Sequence, residues 1–345
     1  MPDAARRSYR RYALFMEAPG REGCVSARVR LAKIDAEVSR LGFGTSALMS
    51  RVNRRDSLRL LGTALEHGIT HFDTARSYGF GEAESVLGEF LQHRREQITV
   101  TTKVGILPPQ RTAWLSAAKA AARGMISLVP AARRYVRRSA ERLISSQRFE
   151  TTLMTESLET SLRALRTKYV DFLLLHEPRI DVLRSHEPLE FLHRMREQGK
   201  ARFVGVATDI PGVICILSEL PEYATVLQHP YTVFSETRKR AGSPGRNAVF
   251  VHSCLGTFTA QLRRQFEADE RIAAEWSRSL DLNITEPGKL EQLTLLTAFA
   301  DMPQAAILFT SINTQHIREN AAALNAAASS EQVEQFRRLV ISQIA

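Results

Sequence analysis

Eight short strand-like runs recur along this chain, with helix-length stretches between them. The runs are Ser39–Gly44, Ile69–Asp73, Ile98–Lys103, Val170–His176, Arg202–Val206, Ala224–Gln228, Ala248–His252 and Ala305–Phe309. Several are continuous apolar segments, as strands covered on both faces require. The intervening stretches carry helix signals. Asp56–His67 is amphipathic and stops at Gly68, a residue suited to the left-handed position after a helix. Glu82–His93, Thr155–Leu165 and Pro188–Gln198 repeat apolar residues at helical spacing, the last ending at Gly199. Eight strand–helix units predict an α/β fold of the (β/α)8 TIM barrel type. The rival is a doubly wound sheet. No Gly-x-Gly-x-x-Gly follows an early run, which counts against a dinucleotide-binding sheet of that type.

Residues 1–38 precede the first unit. Val29–Leu31 and Ala36–Val38 predict a hairpin that closes the barrel floor, leaving 39–345 as the barrel. The third connection is interrupted by a long segment at about 111–152. Ala117–Ala122 and Ala131–Ile144 within it read as helical. Between Arg111 and Arg148 stand eight arginines and one lysine against the single acid Glu141, so this stretch holds most of the chain's net charge of +10. Such a cluster attracts an acidic ligand, a nucleic acid or a membrane surface, or is a solvated insertion and nothing more. No recognised motif or aromatic interleaving supports nucleic acid as a partner. No run approaches the length of a membrane span. Tyr12–Met16 is too short for a secretory core, and the three cysteines are far apart, so a cytoplasmic location is expected.

Chemistry concentrates just past three of the strand ends. Asp73 ends the second run and Tyr78 lies in the loop after it. Lys103 ends the third and His176 the fourth. Adjacent strands of a barrel bring their carboxyl ends together, so these four residues are expected to share one pocket. A phenol with an ordinary pKa of about 10 needs help to pass a proton near neutrality. A neighbouring ammonium favours its phenolate, a carboxylate keeps that ammonium charged and placed, and a histidine can orient a carbonyl. Taken alone, Asp73 could cap a turn, Tyr78 could be a packed loop residue, Lys103 a surface or Schiff-base lysine, and His176 a satisfied core histidine. Together they predict Tyr78 as general acid, Lys103 as modifier of its pKa, Asp73 as partner of the lysine and His176 as orienting donor. His71 falls on the same strand face as Asp73 but deeper, and reads as a core histidine. Glu82 and Glu84 read as first-turn carboxylates of the next helix.

The motifs around these residues resemble the aldo-keto reductase family. They are Phe72-Asp-Thr-Ala-Arg-Ser-Tyr-Gly-Phe-Gly-Glu82 with Glu84 and Leu87-Gly88, Thr101-Thr-Lys-Val104, Ser157 to Pro178, and Gly199-Lys-Ala-Arg-Phe-Val-Gly-Val206. The likeness runs from about Ser39 to Asn325. It implies a barrel that binds NADPH or NADH in extended form, and an enzyme that reduces an aldehyde, ketone or sugar-like carbonyl or runs in reverse as a dehydrogenase. The resemblance further implies cofactor contacts at Gln228 and Thr208 for the nicotinamide amide. It places His252, Ser253 and Leu255 in the run that stacks on the nicotinamide, and Ser311 and Asn320 at the adenosine end. The chain departs from the family pattern where Ala207-Thr208 replaces Ser-Asn. It departs again where His252, whose charge depends on pH, replaces an aromatic residue. Thr310 and His316 stand where several members carry basic residues for the 2′-phosphate. NADPH is the cofactor expected from family habit, with NADH as the other choice. A regulatory or binding protein on the same scaffold is the reading from another class. The basic segment, overhanging the pocket, favours an anionic small-molecule carbonyl substrate.

Overall fold

In the computed structural model, residues 27–108, 147–231, 247–326 and 328–342 are described. Ten strands are found among them. β1 (Arg28–Arg30) and β2 (Glu37–Ser39) form an antiparallel hairpin. The other eight are β3 (Leu41–Gly44), β4 (His71–Asp73), β5 (Thr99–Val104), β6 (Val170–His176), β7 (Ala201–Ala207), β8 (Val226–Pro230), β9 (Ala248–His252) and β10 (Ala305–Phe309). They pair in parallel in that order and close on themselves through β10 and β3, which makes the barrel predicted from the alternating runs. Each observed strand lies within two residues of its predicted bounds at either end.

The two-residue period of a strand sorts the core into two layers. On β6, Phe172 and Leu174 point into the barrel with Ala207, Val226, Phe250 and Leu308. Leu173 and Leu175 point outward into the larger cluster beneath the helices. Val29, Leu31 and Val38 of the hairpin join the inner cluster, so the hairpin is packed against the barrel interior. His71 is fully buried there, stacked on Phe250 at 4.7 Å, with Nδ1 2.9 Å from Thr99 Oγ1 and Nε2 3.3 Å from Thr101 Oγ1. Burial lowers its pKa to about 4, with Asp73 opposing and Lys103 adding to the fall, so it stays neutral.

The outer helices are positioned by local signals and by close contact. The helix Arg54–Glu66 starts at Asn53, whose side chain accepts from the Asp56 amide. The helix Thr151–Leu165 begins four residues before its predicted start and so shortens the third-connection insertion, which ends at Glu150. Gly88 lets the helix Ala83–Leu91 lie against Thr151–Leu165, since a Cβ there would stand 2.1 Å from the Ala164 carbonyl. Arg40 is buried without a carboxylate. It satisfies its guanidinium on the carbonyls of Phe299, Met302, Pro303 and Ala305, clamping the entry to β10.

The basic segment and its two predicted helices lie outside the described residues. Its base does not. Ile106 bridges Gln147 in antiparallel fashion, and the Arg148 amide donates to Gly105 at 2.7 Å. The insertion thus leaves and rejoins the barrel at one point, the carboxyl end of β5. Gln147 also donates to the Glu177 carbonyl at 3.2 Å, one residue past His176.

Candidate active site

Asp73 ends β4, and its register partner on β5 is Thr101; Lys103, two residues further along the same inner face, reaches back to Asp73. Asp73 and Lys103 are both buried. Lys103 Nζ donates to both Asp73 oxygens at 2.8 Å, to the Thr74 carbonyl at 3.0 Å, and lies 3.4 Å from the Tyr78 hydroxyl. Three acceptors and a phenol therefore surround one ammonium. Tyr78 is half-buried, with the ammonium 5.0 Å from its ring centre and the His176 ring edge-on at 5.8 Å. The four residues singled out from the sequence are thus brought together.

The Tyr78 loop needs special backbone. Gly79 and Phe80 both have φ of +58°, in the left-handed region. A Cβ at Gly79 would stand 2.5 Å from the Leu48 carbonyl. Gly79 therefore serves both a conformation and a close approach. Glu177, directly after His176, is left-handed too, at +51°.

The electrostatics of Tyr78 differ from expectation. Burial is the largest influence on Tyr78 and pushes its pKa above the ordinary value. Lys103 pulls it back, while Asp73 and Glu177 push it further up. The net effect is a phenol that keeps its proton, whereas the sequence reading had Lys103 lowering its pKa. For Lys103, burial acts to lower the pKa, but Asp73 and Tyr78 together outweigh it and the group ends above its usual value. His176 is driven well below the ordinary imidazole value by burial and by Lys103, so it is neutral. Its Nδ1 is buried without a hydrogen-bond partner.

The residues placed by the family resemblance sit at the ends of β7 to β10. Gln228, buried on β8, donates through Nε2 to Asp73 at 3.0 Å, while its Oε1 is buried and unpartnered. Thr208 is buried, with its hydroxyl packed so close to Gly212 that a Cβ there would stand 2.3 Å away. His252 is half-buried and approaches the Ser253 hydroxyl at 2.9 Å. Burial, with Lys103 and His229 adding, lowers its pKa to about 4. Its charge is therefore constant through the neutral range, contrary to the pH dependence expected from an isolated histidine. Ser253 has φ of +65° and is exposed, and Leu255 is half-buried. The Ser311 hydroxyl donates to the Asn313 carbonyl and accepts from its amide, both at 3.0 Å. Asn320 is buried on the helix Thr314–Ala322, while His316 and Arg318 are exposed.

Sequence reasoning missed one participant. Glu84 was read as a first-turn carboxylate facing the helix dipole. It is in that turn, but fully buried, and accepts from Thr102 Oγ1 at 2.7 Å. Its spacing held the clue: Leu87, Gly88 and Leu91, three, four and seven residues on, form the buried stripe of the same helix.

The sequence model of the Aldo/keto reductase family matches residues 40–243, more than half of the chain. The chain belongs to the aldo/keto reductase family. Among curated members it is 23% identical over 255 residues to aldo-keto reductase YhdN of Bacillus subtilis, covering 70% of this chain and 66% of that protein. It is 29% identical over 193 residues to probable aldo-keto reductase 1 of Glycine max, covering 54% and 46%. The chain thus spans about half to two thirds of the length of these relatives. Among solved structures, an aldo-keto reductase from Klebsiella pneumoniae in complex with NADPH shares the fold with a TM-score of 0.64 at 23% identity, over 91% of this chain and 95% of that one. Among the described residues of this family member, no helix is long and apolar enough to cross a membrane, and no cluster of histidine, cysteine and carboxylate side chains could hold a metal ion.

Proposed function

We infer that this aldo/keto reductase reduces a small aldehyde, ketone or sugar-like carbonyl with NADPH, or with NADH, and that Tyr78 supplies the proton. The observation that carries the reading is the Lys103 ammonium, held by both oxygens of Asp73 and within 3.4 Å of the Tyr78 hydroxyl. A bound reduced nicotinamide would supply the hydride. As negative charge grows on the carbonyl oxygen, Tyr78 donates its O–H proton to it. The phenolate left behind lies beside Lys103, whose charge lowers the cost of forming it. Asp73 keeps the ammonium in place, and neutral His176 orients the carbonyl oxygen by hydrogen bonding. A phenol with a raised pKa suits this direction, because it arrives protonated.

Several residues suit the cofactor. Gln228 Oε1 is an unpaired buried acceptor of the kind a carboxamide N–H would satisfy, with Nε2 already fixed on Asp73. Thr208 lies at the next strand end, and His252, with Ser253 and Leu255 following it, offers a neutral ring for stacking. At the other end, Ser311 precedes the helix Thr314–Ala322, whose N-terminus favours an anionic group, and Asn320 lies buried in the last turn of that helix. The relative solved with NADPH supports that choice of cofactor. The basic segment, rooted at the carboxyl end of β5, favours an anionic carbonyl compound as substrate. The test is direct. The purified protein is mixed with each reduced cofactor and a panel of neutral, carboxylated and phosphorylated carbonyls, and absorbance of the nicotinamide is followed. Oxidation with at least one carbonyl is expected. No turnover with any pair would leave only a binding protein on this scaffold.

A further inference from the structure

We propose that Glu84 is a positioning residue for Tyr78: with Arg76 and Thr102 it forms a buried strut that fixes the tyrosine loop against the strand carrying Lys103. The proposal rests on the assignment of Tyr78 as proton donor. Arg76 lies inside the loop, between Asp73 and Tyr78. Its guanidinium donates to the Gly81 carbonyl at 3.1 Å and stands 3.7 Å from Glu84 Oε2. The Gly81 contact closes the run Gly79–Phe80–Gly81, in which all three residues have positive φ. Backbone in that region persists only where its surroundings over-determine it. On its other side Glu84 accepts from Thr102 at 2.7 Å. Thr102 precedes Lys103 and faces the helices where Lys103 faces the pocket. One carboxylate therefore hydrogen-bonds the strand that carries the ammonium through Oε1, and through Oε2, which has no hydrogen bond, stands at ion-pair distance from the loop that carries the phenol.

Burying a carboxylate in an outer helix layer is costly, and a first-turn carboxylate serving only the helix dipole would remain in water. Glu84 has no exposed surface. Burial pushes its pKa up, with Thr102 and Arg76 among the groups that pull it back. Its helix has little freedom to shift, because Gly88 seats it against the Ala164 carbonyl. The contact that the strut protects is a sensitive one. At 3.4 Å, Lys103 and Tyr78 are at the outer limit of hydrogen bonding, so a further few tenths of an ångström would break it.

The experiment reads Tyr78 itself. The protein is prepared with tyrosine labelled at the ring carbon that bears oxygen, and its pH titration is followed by NMR, with Tyr78→Phe assigning the resonance. Glu84→Gln and Thr102→Val are compared with wild type, singly and together. Loss of the strut lets Lys103 and Tyr78 separate, so the Tyr78 titration moves to higher pH in both variants. The double variant should shift no further than the larger single. Direct electrostatics has the opposite sign for Glu84→Gln, since removing a negative charge favours phenolate. An unchanged or downward titration in Glu84→Gln, or additive shifts in the double variant, overturns the proposal. Should Glu84→Gln fail to fold, the near-isosteric Thr102→Val decides on the same criterion. In turnover assays kcat should fall about tenfold or more with KM held, as misplacement of a reacting group predicts. The resonance needs no turnover. A wild type that reduces nothing would therefore end the reductase reading, while the strut is still judged on the titration.

Discussion

The ends of β4 and β5 and the ends of β8 and β9 face each other across one barrel mouth, yet they are built differently. At β4 and β5, Lys103 and Asp73 pair with each other, the Thr74 carbonyl also accepts from the lysine, and the pair is buried. At β8 and β9, Gln228 uses one end of its amide on Asp73 and leaves the other unpaired, and His252 is neutral and half-exposed. The first region carries its own charges in a finished network. The second offers polar atoms and a ring whose partners must come from elsewhere. On the proposed function, proton delivery falls to the closed network and cofactor recognition to the single open groups of Gln228 and His252.

Variants on the two sides should therefore fail in different ways. The largest effect is expected for Tyr78→Phe, with kcat reduced about a thousandfold and cofactor affinity unchanged in a fluorescence titration. Near-full turnover would break the comparison outright. Lys103→Met should strand the Asp73 carboxylate in the interior and cost about 3 kcal/mol or more in urea unfolding. A loss as small as that of a surface residue would mean that the network is not closed.

Beneath the same side, His71 makes stability depend on pH. Its folded pKa of about 4 lies below the ordinary value of 6.5, so between these limits the unfolded chain binds a proton that the folded chain refuses. The contribution is whole above pH 6.5 and is lost as pH falls toward 4, amounting to about 3 kcal/mol. Urea midpoints measured from pH 7 down to pH 4 should fall less steeply in His71→Asn than in wild type. The smallest effect belongs to the other region. Gln228→Leu should weaken cofactor binding about tenfold, the worth of one buried amide contact. Because Asp73 keeps Lys103, the Tyr78 titration should barely move. A large shift in that titration would show that the two regions are one unit.

Much of the fold was legible in the sequence. Apolar runs such as Phe172–Leu175 have few other uses than a strand covered on both faces, and the order of eight strand-like runs predicted the barrel. The four polar residues near the ends of three consecutive strands were legible for the same reason, since a strand's last inward side chain must lie at the mouth. Glu84 was misread because a carboxylate in a first helical turn is ordinary on the surface, and only the apolar stripe it shares with Leu87 and Leu91 marks it as buried. His252 was misread because an isolated imidazole titrates near neutrality, whereas a partly enclosed one beside Lys103 and His229 does not.

What the sequence by itself determined is therefore periodic and local: where strands and helices run, and which residues stand at strand ends. The tertiary structure alone decided distance and environment. Lys103 meets Asp73 across 30 residues of chain because β4 and β5 are parallel neighbours, so that Lys103 stands two residues past Thr101, the register partner of Asp73, on the same face, a relation no local pattern encodes. Whether Tyr78 holds or yields its proton depends on how much water the surrounding protein excludes. Desolvation is a sum over every neighbour in space, so its contest with the charge of Lys103 was settled only when the barrel closed.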